Sequence, residues 1–100
     1  MPYFMFRGYD RPGSAELRAA TRPTHREYLY TKQPGCCVAT AGPLVEDSGA
    51  PMVGTLLILD ADDRIAAEAF LAGDPYAKVG LFERTELLRW DWGLGAPRKS

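Results

Sequence analysis

The segment Met52–Asp60 reads MVGTLLILD and decides the fold of this chain. Its continuous apolar run predicts a β-strand buried on both faces, as for a central position in a sheet. Near the N-terminus, Pro2–Tyr9 reads PYFMFRGY, an aromatic and extended stretch that predicts another strongly apolar strand. These two strands are expected to lie side by side in the middle of one sheet.

Between them the sequence predicts one helix and one further strand. Asp10–Gly13 is a turn cluster, and Ser14 can cap a helix that Gln33-Pro34-Gly35 ends. Pro23 either kinks that helix or restarts it. The next segment, CCVATAGPL, predicts a strand that begins at Cys36 and is closed by Gly42-Pro43.

A second helix and a fourth strand follow the buried segment. Asp60 or Asp62 can cap the helix, which stops at Gly73 and presents apolar residues at helical spacing: Ile65, Ala66, Ala69 and Phe70. The stretch GLFERTELLRWDW is charged and alternating, as an edge strand should be. The order βαββαβ predicts an α+β, ferredoxin-like fold, with two helices on one face of a four-stranded antiparallel sheet.

The opposite face of this sheet is apolar as well. Tyr3 and Met5 point to one side of the first strand and Phe4 and Phe6 to the other, whereas the helices can cover only one side. An uncovered apolar sheet face marks an interface, so we expect a homodimer whose sheets pack face to face. The alternative is that the loop Glu46–Pro51 or the C-terminal tail folds over that face.

Composition narrows the class of protein. The chain has 100 residues, 46% of them hydrophobic, which predicts one domain over residues 1–95 and a short polar tail over residues 96–100. Twelve basic and thirteen acidic residues are interspersed, which argues against nucleic acid or an anionic membrane as partner. No long apolar stretch or signal peptide is evident, and we expect a cytoplasmic protein.

Metal binding is not expected. Cys36 and Cys37 are adjacent, and their α-carbons are too close for an ordinary disulfide, so both are predicted to be free thiols. Side chains of adjacent strand residues point to opposite faces, and with a single histidine they cannot form a zinc cage.

The single histidine is the first candidate for chemistry. His25 has Tyr28 and Leu29 as its i+3 and i+4 neighbours and is in line with Leu17 and Thr21, which predicts an inward position. A buried histidine is often only hydrogen-bonded to a backbone carbonyl. Three arginines on the neighbouring stripe form either a solvated surface or an anion-binding edge: Arg18, Arg22 and Arg26.

A second stretch, GDPYAKVG at 73–80, predicts a short helical turn. Gly73 closes the preceding helix, Asp74 caps the turn, and Pro75 takes its first position, where a missing donor costs nothing. Helical periodicity alone does not bring Asp74 to His25.

Three motifs in this order, RPTHREYL at 22–29, AGPL at 41–44 and GDPYAKVGLFE at 73–83, resemble the YciI-like (YCII-related) family. The resemblance extends from Tyr3 to about Trp92 and implies a subunit that dimerises into an α+β barrel. It also implies that His25 and Asp74 form a catalytic pair. One branch of the family carries Asp-Gly-Pro-Phe and accompanies sigma factors; AGPL lacks the acid and the aromatic, so that partner is not expected.

If the two residues meet, Asp74 would orient the imidazole and His25 would transfer a proton. Arg22, Tyr76 and Arg18 would bind substrate and stabilise negative charge on its oxygen. The expected function is that of a lyase or isomerase acting on a cyclic or aromatic oxygenated metabolite, without metal or organic cofactor. The alternative is a small-molecule-binding or accessory module that uses the same pocket without catalysis.

Overall fold

Four strands and two main helices follow one another in the predicted βαββαβ order. The structure is a computed structural model that describes residues 2–97, so residues 98–100 of the predicted tail lie outside it. The elements are β1 (Tyr3–Asp10), α1 (Ala15–Leu29), β2 (Cys36–Val45), β3 (Met52–Ala61), α2 (Arg64–Ala72), α3 (Pro75–Lys78) and β4 (Phe82–Trp90). One antiparallel sheet has the order β2-β3-β1-β4, which confirms the ferredoxin-like fold with the two apolar strands central.

The core lies between the two central strands and the helices. Phe4 pairs with Leu59 across the β1–β3 ladder and Phe6 pairs with Leu57, and all four side chains are buried. Phe70 of α2 is fully buried in the same cluster. Full burial of such a side chain contributes roughly 1.5–3 kcal/mol, so this alternating face fixes the register of the central strands.

Two predicted boundaries were wrong. Helix α1 ends at Leu29 instead of Gln33-Gly35, because the Thr31 N–H bonds to the Tyr28 carbonyl at 3.0 Å and tightens the last turn. Pro23 lies within this single helix. Strand β2 continues through Gly42-Pro43 to Val45, since β2 is an edge strand, where a proline removes no necessary hydrogen bond.

The start and the inward face of α2 also differ from the prediction. The helix is capped by Asp63, whose Oδ1 accepts the Ala66 N–H at 2.8 Å, and not by Asp60 or Asp62. Phe70 points into the core, and Ala67, three residues earlier, lies on the same side. Ile65 is five residues earlier, on the other side of the helix, and is 76% exposed.

The sheet face opposite the helices carries partly exposed apolar side chains. Met5 is half-buried there, and Leu88, its register partner on β4, is 52% exposed. Trp92 follows β4 and contacts Tyr3, with ring centroids 5.3 Å apart. The C-terminal segment therefore reaches the corner at Tyr3, while Met5 and Leu88 keep exposed surface.

Candidate active site

The structure brings His25 and Asp74 together. Nδ1 of His25 lies 2.7 Å from Oδ1 of Asp74, and the two residues are only 5% and 1% exposed. His25 is on the inward face of α1, as its spacing predicted, and Asp74 is the N-cap of α3. The same Oδ1 atom accepts the Tyr76 N–H at 2.9 Å, so two donors hold this carboxylate.

Tyr76 fixes the plane of the imidazole. Its ring stacks on that of His25, with the centroids 3.8 Å apart and the planes inclined by 17°. Tyr76 is 1% exposed and also makes an edge contact with Phe82 at 6.0 Å. The histidine is thus restrained by a hydrogen bond in its plane and by an aromatic face above it.

Arg18 is buried, which the periodicity did not predict. Leu17, expected to face inward, is 38% exposed, whereas Arg18 is 5% exposed. Its Nε donates to Oδ2 of Asp10 at 2.6 Å, and its Nη2 donates to Oδ1 of Asp10 at 3.0 Å. The guanidinium enters the interior because this two-pronged ion pair offsets the cost of removing its charge from water.

Two of the Arg18 partners were missed by the sequence reasoning. Asp10 was assigned only to the turn after β1, and Thr55, which accepts from Arg18 Nη2 at 2.7 Å, only to a buried strand. The sequence did contain a signal that Thr55 has a polar partner. It is a polar residue in an otherwise apolar central strand, on the same face as Leu57, and a buried hydroxyl requires a partner.

Arg18 also contacts the hydroxyl and the ring of Tyr76. Its Nη1 donates to the Tyr76 Oη at 3.4 Å, and its guanidinium carbon lies 4.7 Å from the ring centroid. Burial raises the pKa of Tyr76, against the lowering effect of the Arg18 and Arg22 guanidiniums. Tyr76 is therefore a neutral phenol near pH 7, and its hydroxyl hydrogen is available for a ligand because Arg18 supplies the other hydrogen bond.

These side chains open onto a cleft of about 260 Å³ between α1 and strands β2 and β3. A cavity of about 150 Å³ is enough for a benzene ring, so this cleft has room for one ring with several substituents. Four of the five predicted site residues line the cleft: Arg18, Arg22, His25 and Tyr76. The fifth, Asp74, lies directly behind His25. Ala41–Pro43 of the AGPL motif forms its β2 wall.

Elsewhere in residues 2–97, no group of three or more metal-ligand side chains is found. Within the same range, no helix is long and apolar enough to cross a bilayer. Cys36 is buried in the core as a free thiol, and burial raises its pKa to about 11. The predicted cytoplasmic location stays a prediction.

Similarity to curated proteins covers most of the chain. Protein YciI of Escherichia coli O6:H1 is 30% identical over 83 residues, which are 78% of this chain and 85% of that protein. Protein YciI of Shigella flexneri matches to the same extent.

Two solved structures share the fold. The 5-chloro-2-hydroxyhydroquinone dehydrochlorinase of Burkholderia phenoliruptrix, in complex with 2,5-dihydroxybenzoquinone, has a TM-score of 0.80 and 29% identity over 91% of this chain and 95% of that one. A candidate antibiotic biosynthesis monooxygenase of Bacteroides thetaiotaomicron has a TM-score of 0.59 and 17% identity over 99% and 95% of the chains, a likeness of fold alone. The sequence model of the YCII-related domain matches residues 1–91, and the chain therefore belongs to the YCII-related family.

Proposed function

We propose that this protein is a cofactor-independent enzyme, of lyase or isomerase type, that moves a proton on a cyclic or aromatic oxygenated small molecule. The observation that carries the proposal is the buried hydrogen bond between His25 Nδ1 and Asp74 Oδ1. It engages one ring nitrogen and leaves Nε2 of a cleft-lining imidazole for the ligand.

The proton step follows from this arrangement. Asp74 accepts the Nδ1–H, which places the lone pair on Nε2, and Nε2 takes a proton from a carbon next to a substrate carbonyl. The electron pair released moves onto the carbonyl oxygen as an enolate. When this electron pair returns from the oxygen to carbon, it either expels a leaving anion, as in a lyase, or takes the proton back at another carbon, as in an isomerase.

The imidazolium and the oxyanion formed in this step both have partners. The imidazolium faces the carboxylate of Asp74, whose Oδ2 atom is buried with no hydrogen-bond partner among residues 2–97. The oxyanion would receive the Tyr76 O–H, supported by Arg18, with the charge of Arg22 nearby. Preorganised donors of this kind are commonly the largest contribution to catalysis.

The neighbouring structure supports a small-molecule substrate. That dehydrochlorinase removes hydrogen chloride from a chlorinated hydroxyquinol and is seen with a dihydroxyquinone. A single oxygenated ring of that size suits a cleft of about 260 Å³. We extend to this chain the class of ligand, an oxygenated ring, and leave the leaving group open to experiment.

We further propose that the functional unit is a homodimer formed through the sheet face opposite the helices. Met5 and Leu88 on that face retain exposed apolar surface. The ion pair between Arg7 and Glu86, at 3.1 Å, lies on the same face and would fix the orientation of the two copies.

The proposal is tested by incubating the protein with hydroxylated quinones and chlorinated hydroxyquinols in deuterated buffer. Loss of ring C–H signals in proton NMR reports exchange, and a chloride electrode reports elimination. His25→Gln is expected to lower the rate at least 10²-fold, about what a general acid–base group contributes. Tyr76→Phe is expected to lower it by about 10²–10³-fold, because it removes one oxyanion donor while the ring stack on His25 survives.

The binding-module alternative makes a different prediction for the same variants. If the parent binds such ligands but neither exchanges nor eliminates, and His25→Gln loses only affinity, the catalytic proposal is wrong. Circular dichroism and thermal melting of each variant show whether the fold is retained, so a loss of rate is not confused with unfolding.

A further inference from the structure

The cleft has an unbalanced charge. Three guanidiniums line it, from Arg18, Arg22 and Arg26, while no aspartate or glutamate of the described residues does so. Arg18 is neutralised by its buried ion pair with Asp10. Arg22 and Arg26 have no carboxylate oxygen within 4 Å among residues 2–97. Two cations therefore remain in a protein whose formal net charge is -1.

This pair of arginines is unfavourable for the helix that carries it. Arg22 and Arg26 are i,i+4 neighbours, and like charges at that spacing destabilise a helix by a few tenths of a kcal/mol. The residues at i±3 and i±4 of each offer no acidic side chain. For Arg22 they are Arg18, Ala19, His25 and Arg26; for Arg26 they are Arg22, Pro23, Leu29 and Tyr30.

The two charges lie on α1 on either side of His25 in sequence and both line the cleft. Arg22 is half-buried one turn before His25, and Arg26, the residue directly after His25, is exposed. A ligand with its ring against Tyr76 and His25 would have one end near these guanidiniums. Arginine binds planar anions through two parallel hydrogen bonds, which suits a carboxylate.

We propose that the ligand of this cleft is a single oxygenated ring that carries a carboxylate, bound by Arg22 and Arg26. This rests on the proposed function for the position of the ring and adds the substrate class. The carboxylate would be a permanent charge, separate from the oxyanion that forms during proton transfer. It would orient the ring with its reactive edge toward Nε2 of His25.

The test compares 2,5-dihydroxybenzoate with its neutral amide, 2,5-dihydroxybenzamide, by titration calorimetry at neutral pH. The parent is expected to bind the benzoate at least about tenfold more tightly than the benzamide, because one charge-assisted hydrogen bond contributes about that much to affinity. In Arg22→Gln and in Arg26→Gln this ratio should fall to about threefold or less. Arg64→Gln on α2, which removes the same charge outside the cleft, should leave it unchanged.

Three results would overturn the proposal: equal affinity for both ligands, no binding of either, or a benzoate preference that survives in both cleft variants. His25→Gln separates this question from the catalytic one, because it should keep the benzoate preference. A preference that persists in a protein without turnover contradicts only the proposed function. Turnover of neutral hydroxyquinols without any benzoate preference contradicts only the carboxylate.

Discussion

Nδ1 of His25 lies 2.7 Å from Oδ1 of Asp74, although 49 positions separate the two residues in sequence. The same oxygen also accepts the Tyr76 N–H. A carboxylate can only accept hydrogen bonds when ionised, so the neutral imidazole carries its hydrogen on Nδ1. One carboxylate oxygen thus fixes the tautomer of the histidine and the start of the helix that carries Tyr76.

Asp74→Ala should remove the preference of His25 for the tautomer with its hydrogen on Nδ1. In the parent, the single imidazole is expected as the Nδ1–H form; in the variant it should become a mixture of both forms, because the acceptor is gone. Nitrogen-15 NMR of the ring measures this directly, since no other histidine contributes signals.

A matched control separates this effect from the loss of a helix cap. Asp63 caps α2 as Asp74 caps α3, and removing either cap costs about 1 kcal/mol. Asp63→Ala should therefore lower stability through the cap alone and leave the imidazole spectrum as in the parent. A parent that already shows both tautomers would contradict the assignment.

The buried ion pair between Arg18 and Asp10 should be essential for stability. Asp10→Ala leaves a guanidinium without its carboxylate in the interior, and such a change costs about 3–5 kcal/mol. Urea denaturation measures the loss. The double variant Asp10→Ala, Arg18→Met should recover part of it, because the unpaired charge is gone.

The pair between Arg64 and Glu68 on α2 provides the comparison, because its side chains are 53% and 58% exposed. Glu68→Ala should cost less than about 1 kcal/mol, as for other solvent-accessible pairs. Equal losses for Asp10→Ala and Glu68→Ala would show that burial does not govern the Arg18 pair.

Stability should fall in alkali as Cys36 ionises. Burial raises the pKa of Cys36 to about 11 in the folded protein, so from about pH 9 upward the unfolded chain loses this proton first. The contribution of the Cys36 thiol to the free energy of unfolding is therefore complete below pH 9. It declines between pH 9 and pH 11, by up to about 1.4 kcal/mol per pH unit.

Urea denaturation between pH 8 and 10 checks this slope, and Cys36→Ala should flatten it. Val38→Ala, which truncates a residue packed against the same core, should lower stability while keeping the slope. An unchanged slope in Cys36→Ala would assign the alkaline loss to another group.

The open sheet face should control oligomeric state. Leu88→Glu places a charge on that face and should convert the expected dimer to a monomer in sedimentation equilibrium. Ile65→Glu makes the same change on α2, where Ile65 is 76% exposed, and should leave the dimer intact. A monomeric parent at micromolar concentration would refute the dimer.

Sequence alone determined the order of elements and the central position of β1 and β3. Those predictions depend on local properties: apolar runs, turn residues and caps act over a few residues, and the Asp74-Pro75 start of α3 was predicted in this way. The inward position of His25 also followed from helical spacing. The catalytic pairing of His25 with Asp74 came from the family resemblance and not from spacing.

Tertiary structure decided which side chains meet. The contact between His25 and Asp74 depends on how α1 docks against α3, which no periodicity encodes. Arg18 looked like a surface residue because charge is costly to bury, yet it is buried since Asp10 and Thr55 satisfy it. Partners from distant segments set the cost of burying a polar group, and only the folded chain brings them together.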